Sequence, residues 1–178
     1  GGAAIPIFDA LVTVKTNIKF VLARHEQGCC HMADGYARAT GKPAVVLVTS
    51  GPGAGNTITG IMTAQMDSVP MIIICGQQVT WMLGKDAFQE ADIFGITIPV
   101  VKHNYLVKET DSIPRVIREA HHIATTGRPG PVLVDVPKDI SSADFNGDMD
   151  PELDLPGYKP ETAYTVDSDK IDEALQLI

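Results

Sequence analysis

Four short apolar runs, each bounded by turn residues and separated by helix-like stretches, constrain this chain more than any other feature. IKFVLA (residues 18–23), AVVLVT (44–49), MIIICG (71–76) and PVLVDV (131–136) have the length of strands buried on both faces, and three of the four are rich in Val or Ile. Between and around them the sequence predicts helices over residues 5–14, 27–40, 54–66 and 112–126. The last carries Ile113, Val116, Ile117, Ala120 and Ile123 at helical spacing. Strand and helix in alternation predict an α/β fold with a parallel sheet and helices on both faces. Ligands of such sheets sit beyond the carboxyl ends of the strands, among the strand-to-helix loops. Glu26 stands in one of those loops and SGPGAGN (50–56) occupies the next.

The chain has 178 residues, of which 44% are hydrophobic and 20% charged, enough for one full core and part of a second domain. No apolar run reaches the ~18 residues of a membrane span, and the amino terminus has no signal-peptide pattern. A soluble protein is expected. Three cysteines, two of them adjacent, make no disulfide framework and fit a reducing compartment. The net charge of -8 lies wholly in the tail: residues 1–140 carry twelve basic and twelve acidic side chains, residues 141–178 two and ten. DFNGDMDPELDLPGYKPET has the Pro, Gly and Asp density of an acidic linker, which excludes nucleic acid and anionic membrane as partners.

Several motifs compete for the two loops. HEQGC (25–29) is one residue from the zinc-protease pattern, but Cys29 replaces the second histidine and the segment begins at a strand end. His25, Cys29, Cys30 and His31 make a poor ligand set, since neighbours on a helix point to different sides. GPGAGN resembles a phosphate loop, yet no Gly-Lys-Ser/Thr follows, and Asn56 stands where the last glycine of G-x-G-x-x-G belongs. Cys75 has no basic neighbour in sequence and reads as core. Glu26 alone would be a carboxylate favoured by a helix dipole, worth ~0.3–1 kcal/mol. Glu26, the glycine loop and DAFQEAD (86–92) beyond the third run nevertheless converge on one sheet edge.

GGAAIPIFDAL, RHEQGCCHMADGYARATGKPAVVLVTSGPGAGNTITGI, DAFQEADIFGIT, VKHNYLV and TGRPGPVLVDVPKD together cover most of residues 1–140. With these strings the chain resembles the pyrimidine-binding domain of thiamine-diphosphate enzymes and, within them, the acetohydroxyacid (acetolactate) synthase catalytic subunits of branched-chain amino-acid biosynthesis. The resemblance implies a three-layer sandwich with a mostly parallel central sheet. It implies a pyrimidine-binding domain over 1–140 that lacks the strand and helix usually preceding it, a linker over 141–165, and the start of a central domain at 166–178.

The resemblance also implies roles. Glu26 corresponds to the glutamate that hydrogen-bonds the cofactor's aminopyrimidine and favours the tautomer that activates the thiazolium carbon. A carboxyl held in an apolar cleft has a raised pKa, which suits that proton exchange. Gly2, Pro52, Asn56 and Gln89 match positions lining the cofactor pocket, Phe88 and Gln89 positions near the substrate, and Lys138 a lysine at the channel mouth. Arg128 matches a position that contacts FAD. Without a ligand, Pro52 and Asn56 read as turn residues, Phe88 as core, and Arg128 and Lys138 as solvated charges.

Implied cofactors are thiamine diphosphate, magnesium held mainly by a second domain, and FAD. Gly-Asp-Gly, the family's magnesium motif, is absent from these residues, so the chain alone is expected to be inactive. Implied partners are pyruvate, 2-oxobutyrate, further copies of the subunit in a homodimer or tetramer, and a regulatory small subunit. The implied location is the cytoplasm, or a plastid or mitochondrion in a eukaryote. Val79 departs from the family's usual proline. Glyoxylate carboligase is disfavoured because it lacks the glutamate. Catabolic acetolactate synthase, pyruvate oxidase and 2-oxoacid decarboxylases stand close behind, with HMADGYAR and VKHNYLV fitting the biosynthetic enzyme better. A nucleotide-sensing module using GPGAGN is the non-enzymatic alternative. Residues around Glu26 and 32–38 are expected at a subunit interface.

Overall fold

A computed structural model describes residues 1–15, 17–158 and 167–177. Four strands, β1 (Ala44–Val48), β2 (Met71–Gln77), β3 (His103–Leu106) and β4 (Pro131–Pro137), form one sheet in the order β1-β2-β4-β3, with every pair parallel. Around it lie α1 (Ile5–Thr13), α2 (Glu26–Thr40), α3 (Pro52–Gly55), α4 (Ile58–Met66), α5 (Ile93–Thr97), α6 (Ile113–Thr125), α7 (Lys138–Ser142) and α8 (Ser168–Leu175). The expected α/β architecture is present.

Alternation along the strands divides the core into two. Val46, Val48, Met71, Ile73, Cys75 and Leu133 meet α2, α4 and α5 on one face. Ile72, Val132, Val134 and Val136 meet Val116, Ala120, Ile123 and Ala124 of α6 on the other. β2 and β4 are therefore covered on both sides, which explains their continuous apolar sequence. The tight helix layer over the first face depends on small residues: Cys30, Ala33 and Ala37 of α2 are buried, and a Cβ added at Gly60 of α4 would lie 2.3 Å from Cys30 Cβ. Gly41 ends α2 in the left-handed conformation (φ 71), its N–H bonded to Ala37 O.

Two expectations need correction. Residues 18–23 do not join the sheet. Phe20, Val21 and Leu22 are 57%, 71% and 96% exposed, and the segment stands off the second face of β1. With α1 it encloses a cavity of about 620 Å³ walled by Val45, Leu47, Ile74 and Ile117. Apolar, strand-like sequence is not sufficient for a strand when no hydrogen-bonded ladder holds it. The helix expected over 54–66 is two, α3 and α4, interrupted at Asn56 and Thr57, where Thr57 Oγ1 donates to Ala54 O at 2.6 Å.

β3, within VKHNYLV, was not among the apolar runs, because a four-residue edge strand containing His103 and Asn104 has little hydrophobic signal. Part of the tail before residue 159 lies against the body. Leu155 and Tyr158 pack on the α6 core, Asn146 N–H donates to Asp111 Oδ1 at 2.8 Å, and His122 Nε2 lies 2.6 Å from Tyr158 O. Residues 159–166 and 178, which include part of the expected linker and the ends of the expected central-domain segment, fall outside the described residues. No described helix is long and apolar enough to cross a membrane.

Candidate functional site

Parallel strands place all their carboxyl ends on one edge, and three loops meet there. Glu26 arrives as the first residue of α2. That helix is capped by His25, whose Nδ1 accepts from the Gln27 N–H at 3.1 Å, so the side chain of Glu26 is not the cap. It faces the neighbouring loop, where Glu26 Oε2 accepts from Asn56 Nδ2 at 3.1 Å.

The glycine loop works by close approach. Gly51 has φ 54 and ψ −114, and a Cβ there would lie 2.3 Å from the carbonyl oxygen of Gln89, so only glycine allows the second and third loops to touch. A Cβ at Gly53 would meet Thr49 Cγ2 at 2.7 Å and Glu26 Oε1 at 3.5 Å, and one at Gly1 would meet Thr49 Oγ1 at 2.4 Å. The Glu26 carboxylate, Thr49 and bare backbone from two segments thus form a cradle that opens on the 620 Å³ cavity. Thr49 Oγ1 is buried there without a hydrogen-bond partner among the described residues, as is Ser50 Oγ next to it in sequence. Unpartnered buried hydroxyls and glycine backbone beside one carboxylate suit a planar, polar-edged ligand.

Glu26 differs from expectation in its ionisation. The Asn56 amide and Glu26's own backbone N–H hold its carboxyl below the ordinary value, outweighing the opposite effect of burial. Glu26 is only half-buried in this chain, so hydrogen bonds to the ionised form win over desolvation. The raised pKa expected of an apolar cleft is not found.

The other candidates separate into those near Glu26 and those elsewhere. Pro52 opens α3, and Asn56 ends it. Gly2 is exposed in the first turn of the chain, next to Gly1 of the cradle, with open space where a Cβ would be. Phe88 and Gln89 lie on the third loop. Phe88 is 81% exposed, which rules out a core role in this chain. Gln89 holds the left-handed conformation at φ 56. Lys138 follows β4 on the same sheet edge and is exposed.

Arg128 lies at the opposite edge, before β4, and is not a free solvated charge. Its Nε donates to Ser68 Oγ at 2.8 Å and its Nη2 to Gln65 O and Met66 O at 3.2 Å, closing the carboxyl end of α4. Cys30 and Cys75 are buried, and desolvation pushes the Cys30 thiol up to about 12 and that of Cys75 well above its ordinary value. Neither is poised as a nucleophile.

Sequence reasoning missed Thr49, Gly53, Gln77 and Asp135. Asp135 left a visible signal, a carboxylate inside the apolar run PVLVDV. Burial foremost, and then the charge of Asp92, push it up to about 7.

A parallel α/β sheet with a carboxylate and a glycine cradle at its carboxyl edge has the geometry of a ligand-binding α/β domain. Residues 1–96, more than half of the chain, match the family described as thiamine pyrophosphate enzyme, N-terminal TPP binding domain, and the chain belongs to that family. It is 51% identical over all 178 residues to the acetolactate synthase large subunit of Corynebacterium glutamicum, covering 28% of that protein. It is likewise 51% identical over its full length to an acetolactate synthase of Mycobacterium bovis, again covering 28%. Over 158 residues, 89% of this chain, it is 52% identical to the acetolactate synthase large subunit of Lactococcus lactis, covering 27% of that relative. The chain therefore spans little more than a quarter of the length of these curated relatives.

Proposed function

We propose that this chain is the pyrimidine-binding part of an acetolactate synthase large subunit, and that Glu26 is its proton-exchanging residue. The observation that carries the reading is the Glu26 carboxylate, fixed by Asn56 at 3.1 Å and facing a cradle that Gly53 leaves open beside an unpartnered Thr49 hydroxyl. Those residues fit an aminopyrimidine: a carboxylate for a ring nitrogen, a buried hydroxyl and backbone for its edge, and the apolar cavity wall for its face. Thiamine diphosphate, when bound, supplies a thiazolium carbon acid that carries out decarboxylation of pyruvate and transfer of the two-carbon unit to pyruvate or 2-oxobutyrate.

This chain's part is to hold and move a proton at Glu26. Ionised, as its depressed pKa makes it here, Glu26 accepts a hydrogen bond from a ring N–H and is fixed in place by Asn56. A second domain closing over the cradle removes solvent and raises the pKa toward the range where proton exchange at neutral pH is efficient. Pro52, Gly2 and Gln89 complete the cofactor pocket in this reading, while Phe88, Gln89 and Lys138 meet the substrate from the exposed side.

The remaining parts of the proposal rest on likeness to the relatives. They are a pyrimidine-binding domain over 1–140 followed by a linker over 141–165 and a central domain from 166, a homodimer or tetramer, a regulatory small subunit, and a cytoplasmic location. Met32 and Tyr36, 44% and 49% exposed on α2, supply apolar surface for the subunit contact. Magnesium and FAD belong to the same reading. Magnesium in this reading belongs to another domain, and Arg128, the position matched to an FAD contact, here closes α4.

The test is Glu26→Gln in the full-length subunit. Glutamine keeps size and hydrogen bonding but cannot exchange the proton, so turnover is expected to fall ~100-fold or more. The decisive readout is hydrogen–deuterium exchange of the thiazolium proton in bound cofactor. Equal exchange rates in wild type and variant would refute the assignment, whatever happened to turnover.

A further inference from the structure

Gln77 and Asp135 have no role in that chemistry, yet each is a polar side chain only 2% exposed at the same sheet edge. They are neighbours because β2 and β4 run in parallel register, Cys75 beside Asp135 and Gln77 beside Pro137. Gln77 Nε2 donates to Asp135 Oδ2 and to Ala91 O, both at 3.1 Å, and Gln77 Oε1 accepts from the Gln78 N–H at 2.9 Å. Both donors and the acceptor of this amide are thus engaged. Gln78, oriented by that bond, donates from Nε2 to Phe88 O. One tether of the loop over residues 84–92 therefore starts at this buried amide and a second at Gln78, the residue whose backbone N–H the amide holds, and the amide itself rests on one buried carboxyl.

The loop needs such tethers. Its own order comes from Glu90, whose carboxylate accepts from the Gly84 and Ala87 N–H groups, and it holds Asp86 and Gln89 at φ 53 and 56, a conformation that non-glycine residues adopt at a cost. Its far side meets Gly51, against the Gln89 carbonyl. The loop is thus clamped between the buried pair and the glycine loop that carries Pro52 and Asn56.

We infer that Gln77 and Asp135 are positioning residues: a buried amide–carboxyl pair that fixes Phe88 and Gln89 beside the Glu26 cradle, at the place where a substrate would meet them. Its functional half rests on the reading of the preceding subsection. Burial for packing alone does not account for the pair, because Asp135 Oδ1 has no partner among the described residues, and two apolar side chains of similar volume would fill the space without that cost. What the apolar pair cannot do is hold Ala91 and orient Gln78.

The test uses that difference. Gln77→Met with Asp135→Leu removes both members together, so neither is left buried alone, and Asp135→Asn is the conservative control that keeps an acceptor for Gln77. In the full chain without cofactor, amide hydrogen exchange at Gly84, Ala87 and Glu90 is expected to speed up about 10-fold or more in the double variant, while amides of β4 and α6 exchange as in wild type. Asp135→Asn should restore loop exchange to within about 3-fold of wild type. Gln78→Ala, which cuts only the Phe88 tether at a half-buried position, should speed the same loop amides by a smaller factor, and it serves where the double variant does not fold. Unchanged loop exchange in the folded double variant or in Gln78→Ala would overturn the inference, as would acceleration spread equally over β4, α6 and the loop.

In the cofactor-loaded full-length enzyme the double variant should lose about 10-fold or more in kcat/KM for the 2-oxo acid while thiazolium-proton exchange stays at the wild-type rate. Wild-type kcat/KM there would overturn the functional half. Failure of the Glu26 reading would appear instead in the Glu26→Gln exchange experiment, and it leaves the loop result standing.

Discussion

Val46 and Val21 sit in the middle of two apolar segments that both lead into the site, yet Val46 has no exposed surface and Val21 is 71% exposed. The first segment, β1, is bonded along its length to β2 from Ala44↔Met71 to Val48↔Cys75 and delivers Thr49, Gly51 and Gly53 to the cradle. The second, residues 18–23, forms no strand among the described residues and delivers Glu26 from a segment standing off the sheet. The glycine half of the site is thus held by the sheet, whereas the acidic half is held by α2, through Cys30, Ala33 and Ala37 packed on the first core, and by the bond to Asn56. Accurate placement of a side chain comes from whichever element is anchored, on either side of it in sequence.

The largest expected effect breaks the anchored half. Val46→Asp buries a charge between α2 and the sheet with no partner, a cost of about 4 kcal/mol or more. That is a large fraction of the ~5–15 kcal/mol that holds a domain together. Circular dichroism should show an unfolded or barely folded chain, and a cooperative transition like that of wild type would mean that the first core is not the anchor.

A second effect of similar order lies at Asp135. Its folded pKa is about 7 against an ordinary 3.8, so the folded state binds the proton more tightly than the unfolded chain does. Stability from this group is fully present below pH ~4 and is lost as pH rises through about 7, on the order of 4 kcal/mol across the window. Urea midpoints measured from pH 4 to 7 should fall in wild type, and this fall should flatten in Asp135→Asn, which stays neutral throughout. Parallel profiles would show that Asp135 does not hold its proton in the folded state. Glu26 works in the opposite sense: its depressed pKa contributes stability above its unfolded pKa that is lost as pH falls through the folded one.

A smaller effect tests the tail. Leu155 and Tyr158 lie half-buried on the α6 core, and Lys102 Nζ stands 5.3 Å from the centroid of the Tyr158 ring. Truncation after Asp139 removes these contacts and is expected to lower stability by about 2–3 kcal/mol while leaving a cooperative fold. No loss in urea unfolding would show that residues 140–178 contribute only charge.

The same contrast explains what could be read without a structure. β1, β2 and β4 were legible because each is a Val- and Ile-rich run between turns, and α6 because its apolar residues repeat at helical spacing. Residues 18–23 carry an equally apolar sequence and were misread, because strand formation depends on a neighbour that no local pattern records. Within the candidate site, the placement of Glu26 and Asn56 on adjoining loops was legible from their position after strand-like runs. Their 3.1 Å bond was not, since it joins residues thirty positions apart. Thr49 and Gly53 act through close approach, and Gln77 through a register shared with β4, which are properties of packed chains. The lowered pKa of Glu26 was misjudged for a similar reason: residue type predicts a carboxyl, but the balance of solvent and donors around it is tertiary.

The smallest expected effect falls on the exposed Val21 of the segment that stands off the sheet. Val21→Asp places a charge where the side chain already meets solvent, so the cost in this chain should stay under about 1 kcal/mol, several-fold less than the same change at Val46. The two substitutions introduce the same charge in place of the same residue, so their difference measures anchoring and not chemistry. Urea denaturation of the two variants beside wild type gives that difference directly. Comparable losses would mean that residues 18–23 are packed in solution as tightly as β1, and that Glu26 is held from both sides. A small loss for Val21→Asp with Glu26 still bonded to Asn56, seen as an unchanged Asn56 side-chain amide resonance in NMR spectra, would mean that α2 alone positions the acidic half of the site.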